Sequence, residues 1–153
     1  MGYVMELLEE FLNSRLTARF KWGTHDCCLF VADALVHCGY PDYGKGIRGY
    51  QTEQGAMLAI RRVASSDGVR GTMQWLAREY GFTPISPLER PREGDVACLV
   101  TPGRPMRYFQ DGIGLGIYFG ERFWTTGAKG LVAVPLENAI DIWRPACLQQ
   151  SQS

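Results

Sequence analysis

The residues best suited to do chemistry are an aspartate and a cysteine that stand next to each other. Asp26 and Cys27 follow the aromatic, glycine-containing stretch 20–24 and precede a strongly apolar run. Aspartate is a preferred residue before a helix, because its carboxylate accepts the unpaired N–H groups of the first turn. The sequence therefore predicts a helix capped by Asp26, with Cys27 at or near its first position. The positive end of a helix dipole favours thiolate, which makes Cys27 the candidate nucleophile.

A cysteine nucleophile that acts on amides needs a general base, and the sequence contains only two histidines. His37 lies on the same predicted helix as Cys27, about 15 Å further along its axis, which is far beyond hydrogen-bond reach. Asp33, one turn before His37, is its predicted partner. His25 lies in the loop just before Cys27. It is either a substitute base or an ordinary loop or capping residue, and the sequence leaves both interpretations open.

The cysteine pattern argues against a metal centre. The five cysteines stand at positions 27, 28, 38, 98 and 147, and no Cys-x-x-Cys pair occurs. An odd number without paired spacing predicts neither a disulfide framework nor a structural zinc site, so we expect no metal and no cofactor. Cys38 and Cys98 stand among apolar residues and are predicted to lie in the core.

Charge and hydropathy exclude several classes of partner. Sixteen basic and sixteen acidic residues balance, so there is no positive excess for nucleic acid or an anionic membrane. No apolar segment is long enough to cross a bilayer, and the N-terminus lacks the pattern of a secretory signal peptide. With 46% hydrophobic residues, the chain is expected to fold as one domain over residues 1–148, followed by a polar tail at 149–153.

Helical patterns dominate the first half of the chain. The first helix is amphipathic, whereas the second, which carries Cys27, is apolar nearly all round and is therefore expected to be buried. The predicted helices cover residues 3–17, within an N-terminal helical segment 1–19, and residues 27–38, 53–64 and 71–80.

Short β-rich runs fill the second half, after a proline-rich stretch at 82–91 that is predicted to be an extended connector. Helices first and strands second predict an α+β fold, in which N-terminal helices, including the buried helix of Cys27, pack on a C-terminal antiparallel sheet. Gly120 and Glu121 are predicted to form a tight turn. The predicted strands cover residues 96–100, 113–119, 122–126, 131–134 and 139–143.

Several short blocks resemble those of the NlpC-like cell-wall cysteine peptidases, and they occur in the same order. The resemblance implies a papain-like fold, with Cys27 attacking a peptide carbonyl to form an acyl-enzyme. A strand histidine would act as the general base and a polar residue on the next strand would orient it. The blocks are Trp22-Gly23 with Asp26-Cys27, Gly94-Asp95-Val96, Gly116-Ile117-Tyr118-Phe119-Gly120 and Trp143-Arg144-Pro145.

The resemblance also implies that the catalytic set is incomplete. In family members the histidine stands two residues before the strand glycine that matches Gly116, and this chain has Gly114 there. Gly114 has no side chain to take a proton. Thr125 or Thr126 stands near the third position. The implied site keeps the cysteine and lacks the histidine.

A narrower resemblance is to a small NlpC-like family found among phage tail genes. Its motif residues here are Trp22-Gly23 with Asp26-Cys27, Ala32-Asp33-Ala34 and Arg48-Gly49-Tyr50, and residues 130–136 are similar to a later strand. This resemblance implies a tail-tip or baseplate protein beside the tail hub, made in the host cytoplasm and carried in the virion.

The sequence leaves two main functions open. In the first, the domain is a structural tail-tip component that has lost turnover and packs on neighbouring virion proteins. In the second, it is an active peptidoglycan endopeptidase that cuts stem peptides during DNA entry, with His25 or a partner's residue as base. A thiol-dependent acyl transferase is a weaker third possibility. Four aromatic residues are either partner contacts or ordinary sheet core: Tyr108, Phe109, Phe123 and Trp124.

Overall fold

The computed structural model describes residues 2–101 and 106–146. Within them, helices fill the first half and strands the second. The helices are α1 (Gly2–Arg15), α2 (Cys27–His37), α3 (Glu53–Ala64) and α4 (Val69–Tyr80). The strands are β1 (Thr83–Ile85), β2 (Val96–Val100), β3 (Ile113–Phe119), β4 (Arg122–Thr125), β5 (Val132–Val134) and β6 (Ala139–Arg144), with a short 3-10 helix at Leu136–Asn138.

The six strands form one antiparallel sheet in the order β1-β6-β2-β3-β4-β5. In the described part of the chain, α1, α2 and α4 contact this sheet, and α3 packs on α4. The predicted α+β architecture, with N-terminal helices on a C-terminal antiparallel sheet, is confirmed. No helix within residues 2–101 or 106–146 has both the length and the hydropathy that a membrane span requires.

The larger hydrophobic core lies between the helices and one face of the sheet. Helix α2 provides its centre, because Phe30, Ala34 and Leu35 are no more than 2% exposed. Cys98 on β2 and Leu115 on β3 face this helix from the sheet. The prediction of a buried helix from its nearly continuous apolar surface is therefore confirmed.

A smaller core covers the other face of the sheet, and all of its fully buried members are strand residues. Leu99 and Phe123 are both inaccessible to solvent there. Because strand side chains alternate between faces, Cys98 and Leu99 belong to different cores although they are neighbours in the chain. This alternation decides which residues of β3 can face Cys27.

The element boundaries agree closely with those predicted, with one omission. Helix α3 covers the predicted residues 53–64, and the turn between β3 and β4 has positive φ at both Gly120 and Glu121, as a two-residue hairpin turn requires. Strand β1 lies in the stretch 82–91, for which the sequence predicts an extended connector rather than a strand. It has three residues, one of them Pro84, and among the described strands it pairs with β6 alone, at the sheet edge. Proline is tolerated at such an edge, and three residues give no alternation to detect.

One buried ion pair fixes the start of β2 to the end of β6. Arg144 donates two hydrogen bonds of 2.9 Å to the carboxylate of Asp95, which is 1% exposed. The backbone N–H of Arg92 donates a third, also at 2.9 Å. The Gly-Asp and Trp-Arg blocks of the sequence therefore meet as one structural joint.

We expect Arg144→Ala to lower the free energy of unfolding by about 3–5 kcal/mol, because it leaves the buried Asp95 carboxylate without its cation. The measurement is chemical denaturation followed by fluorescence. Arg90→Ala is the matched control, since Arg90 pairs with Glu121 where both side chains are at least 76% exposed. That control should change stability by less than about 1 kcal/mol. Equal effects of the two substitutions would contradict a structural role for the Asp95–Arg144 pair.

Candidate functional site

The site is organised by the carboxylate of Asp26 at the beginning of α2. The backbone N–H of Leu29 donates to one carboxylate oxygen at 3.0 Å, which is the predicted helix cap. The other oxygen accepts from the N–H of Gly23 at 2.9 Å and from the hydroxyl of Tyr50 at 2.6 Å. Asp26 is 2% exposed, so a single buried carboxylate joins the preceding loop, the helix and the segment around Tyr50.

Tyr50 is a member of this site that motif reasoning on the residues alone did not assign. Burial and the neighbouring Asp26 carboxylate raise the pKa of its phenol, so the hydroxyl remains a donor at neutral pH. The carbonyl of Tyr50 also passes directly beside Gly23. A Cβ built on Gly23 would lie 1.9 Å from that oxygen, and Gly23 has a φ of +81°. Both observations explain why glycine stands at this position of the motif.

Cys27 is the first residue of α2 and is half-buried, as predicted for a helix-end thiol. The neighbouring Cys27 side chain, together with burial, raises the pKa of Cys28. Cys98 lies nearby on β2. Burial is the main reason that the pKa of Cys98 is raised, and Asp141 and Cys27 raise it further. Cys27, Cys28 and Cys98 all lie at the larger core, and Cys27 is the one at the N-terminus of α2.

His25, in the loop before α2, is held by Arg15 of α1. Nη1 of Arg15 is 3.1 Å from Nδ1 of His25, and since arginine can only donate, Nδ1 accepts. The ring also packs edge-on against Phe30, with centroids 5.7 Å apart. Burial and Arg15 lower the pKa of His25, while Asp26 and Asp33 act in the opposite direction. Nε2 then carries the proton of the neutral ring, and it is buried without a partner among the described residues.

His37 is also engaged elsewhere, although not with the predicted partner. Its Nε2 donates to Glu10 of α1 at 2.8 Å. Asp33 instead accepts from Arg15 at 3.1 Å and from Arg48 at 2.6 Å. The prediction of an Asp33–His37 pair was therefore wrong. Helical spacing brings the two residues to one face, but the arginines of α1 and of the loop compete successfully for Asp33.

A polar cleft of roughly 400 Å³ lies beside His25, with Arg15, Asp33 and Arg48 in its wall. Arg48 also pairs with Asp42 at 2.8 Å, and this contact lowers the pKa of Asp42. The two arginines and the two aspartates balance in charge. Both arginines of the cleft wall are thus paired with carboxylates, and the polar side chains of the wall are held mainly by these pairs.

Gly114, the position where the resemblance implies a missing histidine, faces away from α2. It pairs with Leu99, which belongs to the smaller core on the far side of the sheet. The β3 side chains on the α2 face are apolar and include Ile113 and Leu115. A side chain at Gly114 would begin on the opposite face and would meet the Thr101 side chain at 3.2 Å.

Thr125, the third predicted site residue, is buried in β4. Its hydroxyl donates to the backbone carbonyl of Leu115 at 2.8 Å, so it ties two strands together. Within residues 2–101 and 106–146, no hydrogen bond joins Cys27 to His25, His37 or Thr125. In the same residues, no cluster of three histidine, cysteine or acidic side chains is arranged to hold a metal ion. The structure thus places Asp26 and Cys27 together at the start of α2 and, in the described residues, gives Cys27 no hydrogen bond to another predicted site residue.

The aromatic candidates divide between core and loop. Phe123 is inaccessible to solvent, and Trp124 is half-buried with its indole N–H donating to the Phe119 carbonyl at 2.9 Å. The interpretation of these two as sheet core is confirmed. Tyr108 and Phe109 lie half-buried in the connection between β2 and β3. Cys38 and Cys98 are buried as predicted, and Cys147 lies outside the described residues.

We expect Gly23→Ala to destabilise the protein far more than Gly81→Ala. Both glycines have left-handed backbone, with φ of +81° and +71°, but a Cβ at Gly81 meets nothing within 4 Å. Gly81→Ala, the control, should lower the free energy of unfolding only by the cost of a left-handed non-glycine residue, about 1–2 kcal/mol. Gly23→Ala adds a backbone collision and should reduce the free energy of unfolding by several kcal/mol or prevent folding. Comparable melting temperatures for the two variants would contradict the close approach of Tyr50.

We expect the stability of the protein to fall as the pH is lowered below about 6.5, the ordinary pKa of histidine. Because the pKa of His25 is lowered in the folded state, the unfolded chain binds a proton that the folded protein excludes. His25→Gln should show a smaller loss of unfolding free energy between pH 7.5 and 5.5. His37→Gln, which removes the exposed imidazole, should retain the loss due to His25. An identical pH dependence for wild type and His25→Gln would refute the lowered pKa.

Comparison with known proteins gives one result at the level of family. No curated protein and no solved structure matches the chain. The chain does match the family described as Domain of unknown function (DUF6950) over residues 4–145, which includes all of the described strands and the whole site. The α+β domain built around Asp26 and Cys27 therefore belongs to the DUF6950 family.

Proposed function

We propose that this chain is a structural protein of a phage tail tip or baseplate, built on an NlpC-like, papain-like peptidase scaffold that no longer turns over substrate. The scaffold assignment is supported by the order of the blocks and by what they do in the fold. The Trp-Gly…Asp-Cys block forms the loop and cap of α2, and the Gly-Asp and Trp-Arg blocks meet in the Asp95–Arg144 pair.

The observation that carries the loss of turnover is the engagement of both imidazoles. His25 accepts from Arg15 and His37 donates to Glu10, and neither is bonded to Cys27 among the described residues. A positioned general base and acid contributes about 10²–10⁴-fold to such reactions. The apolar side chains that β3 turns towards α2 offer no replacement. Cys27 then has the position of a nucleophile without the partner that would make it an efficient one.

The assembly role rests on the resemblance to phage tail proteins. The chain would be made in the host cytoplasm and carried in the virion, in contact with the tail hub and neighbouring tail-tip proteins. Nucleic acid is not among the proposed partners, since the net charge of the chain is zero.

A second candidate function is peptidoglycan endopeptidase, and one observation favours it. Cys27 remains half-exposed at the N-terminus of a well-capped helix, which is where thiol nucleophiles are usually presented. A base supplied by another chain of the assembly would complete the set, and the substrate would be a stem peptide of the cell wall.

We expect purified protein to release no peptide from peptidoglycan fragments above the rate shown by Cys27→Ala. The products are followed by liquid chromatography and mass spectrometry over a long incubation. Cys27-dependent cleavage would reject the structural proposal in favour of the peptidase.

The assembly role is tested separately in the phage that encodes the chain. The protein should be present in purified virions, and a Cys27→Ala phage should form tails and infect like the parent. Loss of infectivity with normal particle assembly would instead point to chemistry at Cys27. Absence of the protein from virions would reject the tail-tip assignment.

A further inference from the structure

The connection between β2 and β3 is much longer than their pairing requires. The two strands pair antiparallel as far as Val100 and Ile113, and such hairpins usually close in about two to five residues. Here the connection runs from residue 101 to 112, of which the structure describes 101 and 106–112. Long connections of this kind in compact domains are commonly functional.

The base of this connection is closed by the sheet itself. Both the backbone N–H and the hydroxyl of Thr101 donate to the carbonyl of Gly112, at 2.9 and 3.2 Å. Gly112 has a φ of +70°, a conformation that glycine adopts without strain. The described part of the connection therefore leaves the sheet at a defined turn, and residues 106–110 are positioned by contacts beyond the sheet.

Two contacts hold residues 106–110 against the helical part of the protein. One carboxylate oxygen of Glu53, the first residue of α3, accepts from the backbone N–H groups of Tyr108 at 2.6 Å and Phe109 at 3.0 Å. The ring of Phe109 stacks on Trp22, with centroids 5.6 Å apart and an angle of 21° between the planes. Trp22 belongs to the loop that leads into Asp26 and Cys27.

Through Phe109, this segment contacts the loop that caps α2. Cys27 and Phe109 both pack against the larger core. The N–H of Gly23, the residue after Trp22, donates to the Asp26 carboxylate at 2.9 Å, and Asp26 caps the helix that begins at Cys27. The segment held by Glu53 and Trp22 therefore lies beside the N-terminus of α2.

We propose that residues 106–110 form a latched cover that restricts access to Cys27, with Glu53 as the latch and Trp22 as the seat for Phe109. Release of the Glu53 contacts would free two backbone N–H groups and let the Phe109 ring leave Trp22. The thiol of Cys27 would then become more accessible to solvent and reagents. This device concerns access to the thiol and applies whether or not the chain hydrolyses a substrate.

The test is the alkylation rate of Cys27 by iodoacetamide at fixed pH, read by fragment-ion mass spectrometry that separates Cys27 from Cys28 and Cys38. In Glu53→Ala and in Phe109→Ala the rate at Cys27 should rise by roughly tenfold or more, because hydrogen bonds to a charged group or the ring contact are lost. Glu53→Gln, which keeps an acceptor oxygen without the charge, should give a smaller increase.

Two controls separate opening of the cover from unfolding. Thr52→Ala weakens the same end of α3, since the Thr52 hydroxyl accepts from the N–H of Gly55 at 3.0 Å, but it leaves the contacts of Glu53 in place. Its Cys27 rate should stay close to that of wild type. Cys38 is buried, its pKa is raised to about 11, and it reports general unfolding in every variant. A Cys27 rate that does not change in the Glu53 and Phe109 variants, or that rises only together with Cys38, would overturn the proposal.

Discussion

The structure depends on one buried carboxylate. Asp26 is nearly inaccessible to solvent, yet it is fully supplied with donors from Leu29, Gly23 and Tyr50. A buried charge is tolerated only when hydrogen bonds replace its hydration, so these donors cannot be lost one by one without a large cost. The same contacts place Cys27 at the start of α2. The position of the thiol is thus a consequence of how a charged cap is satisfied.

The polar residues around this cap are arranged to hold one another. Arg15 bonds both His25 and Asp33, and Arg48 bonds both Asp33 and Asp42. This network links α1, α2 and the loop after it on the outside of the helical layer. It also explains why His25, so close to Cys27 in the chain, makes no hydrogen bond to it among the described residues. The imidazole turns towards a guanidinium and the Phe30 ring, and burial disfavours its charged form.

On the sheet side, the alternation of strand side chains decides what can approach the thiol. The face of β3 turned towards α2 is apolar, since it must complete the larger core, and Gly114 lies on the other face with Leu99. The hydroxyl of Thr125 donates to a backbone carbonyl and is therefore engaged within the sheet. The elements around Cys27 therefore use their side chains for core packing and backbone contacts. This agrees with the structural role that we propose.

The sequence by itself determined the local structure: the Asp26 cap, the burial of α2, the bounds of α3, the tight turn at Gly120 and the order of helices and strands. These depend on hydrogen bonds and periodicities within a few residues, which the chain carries in its own spacing. The tertiary structure decided the partners of Asp33 and His37, the roles of Tyr50 and Glu53, the pairing of β1 and the face on which Gly114 lies. Each of these is a contact between segments far apart in the chain. For each contact the sequence offers several possible partners of similar chemistry. Only the packing of the helices on the sheet selects one of them.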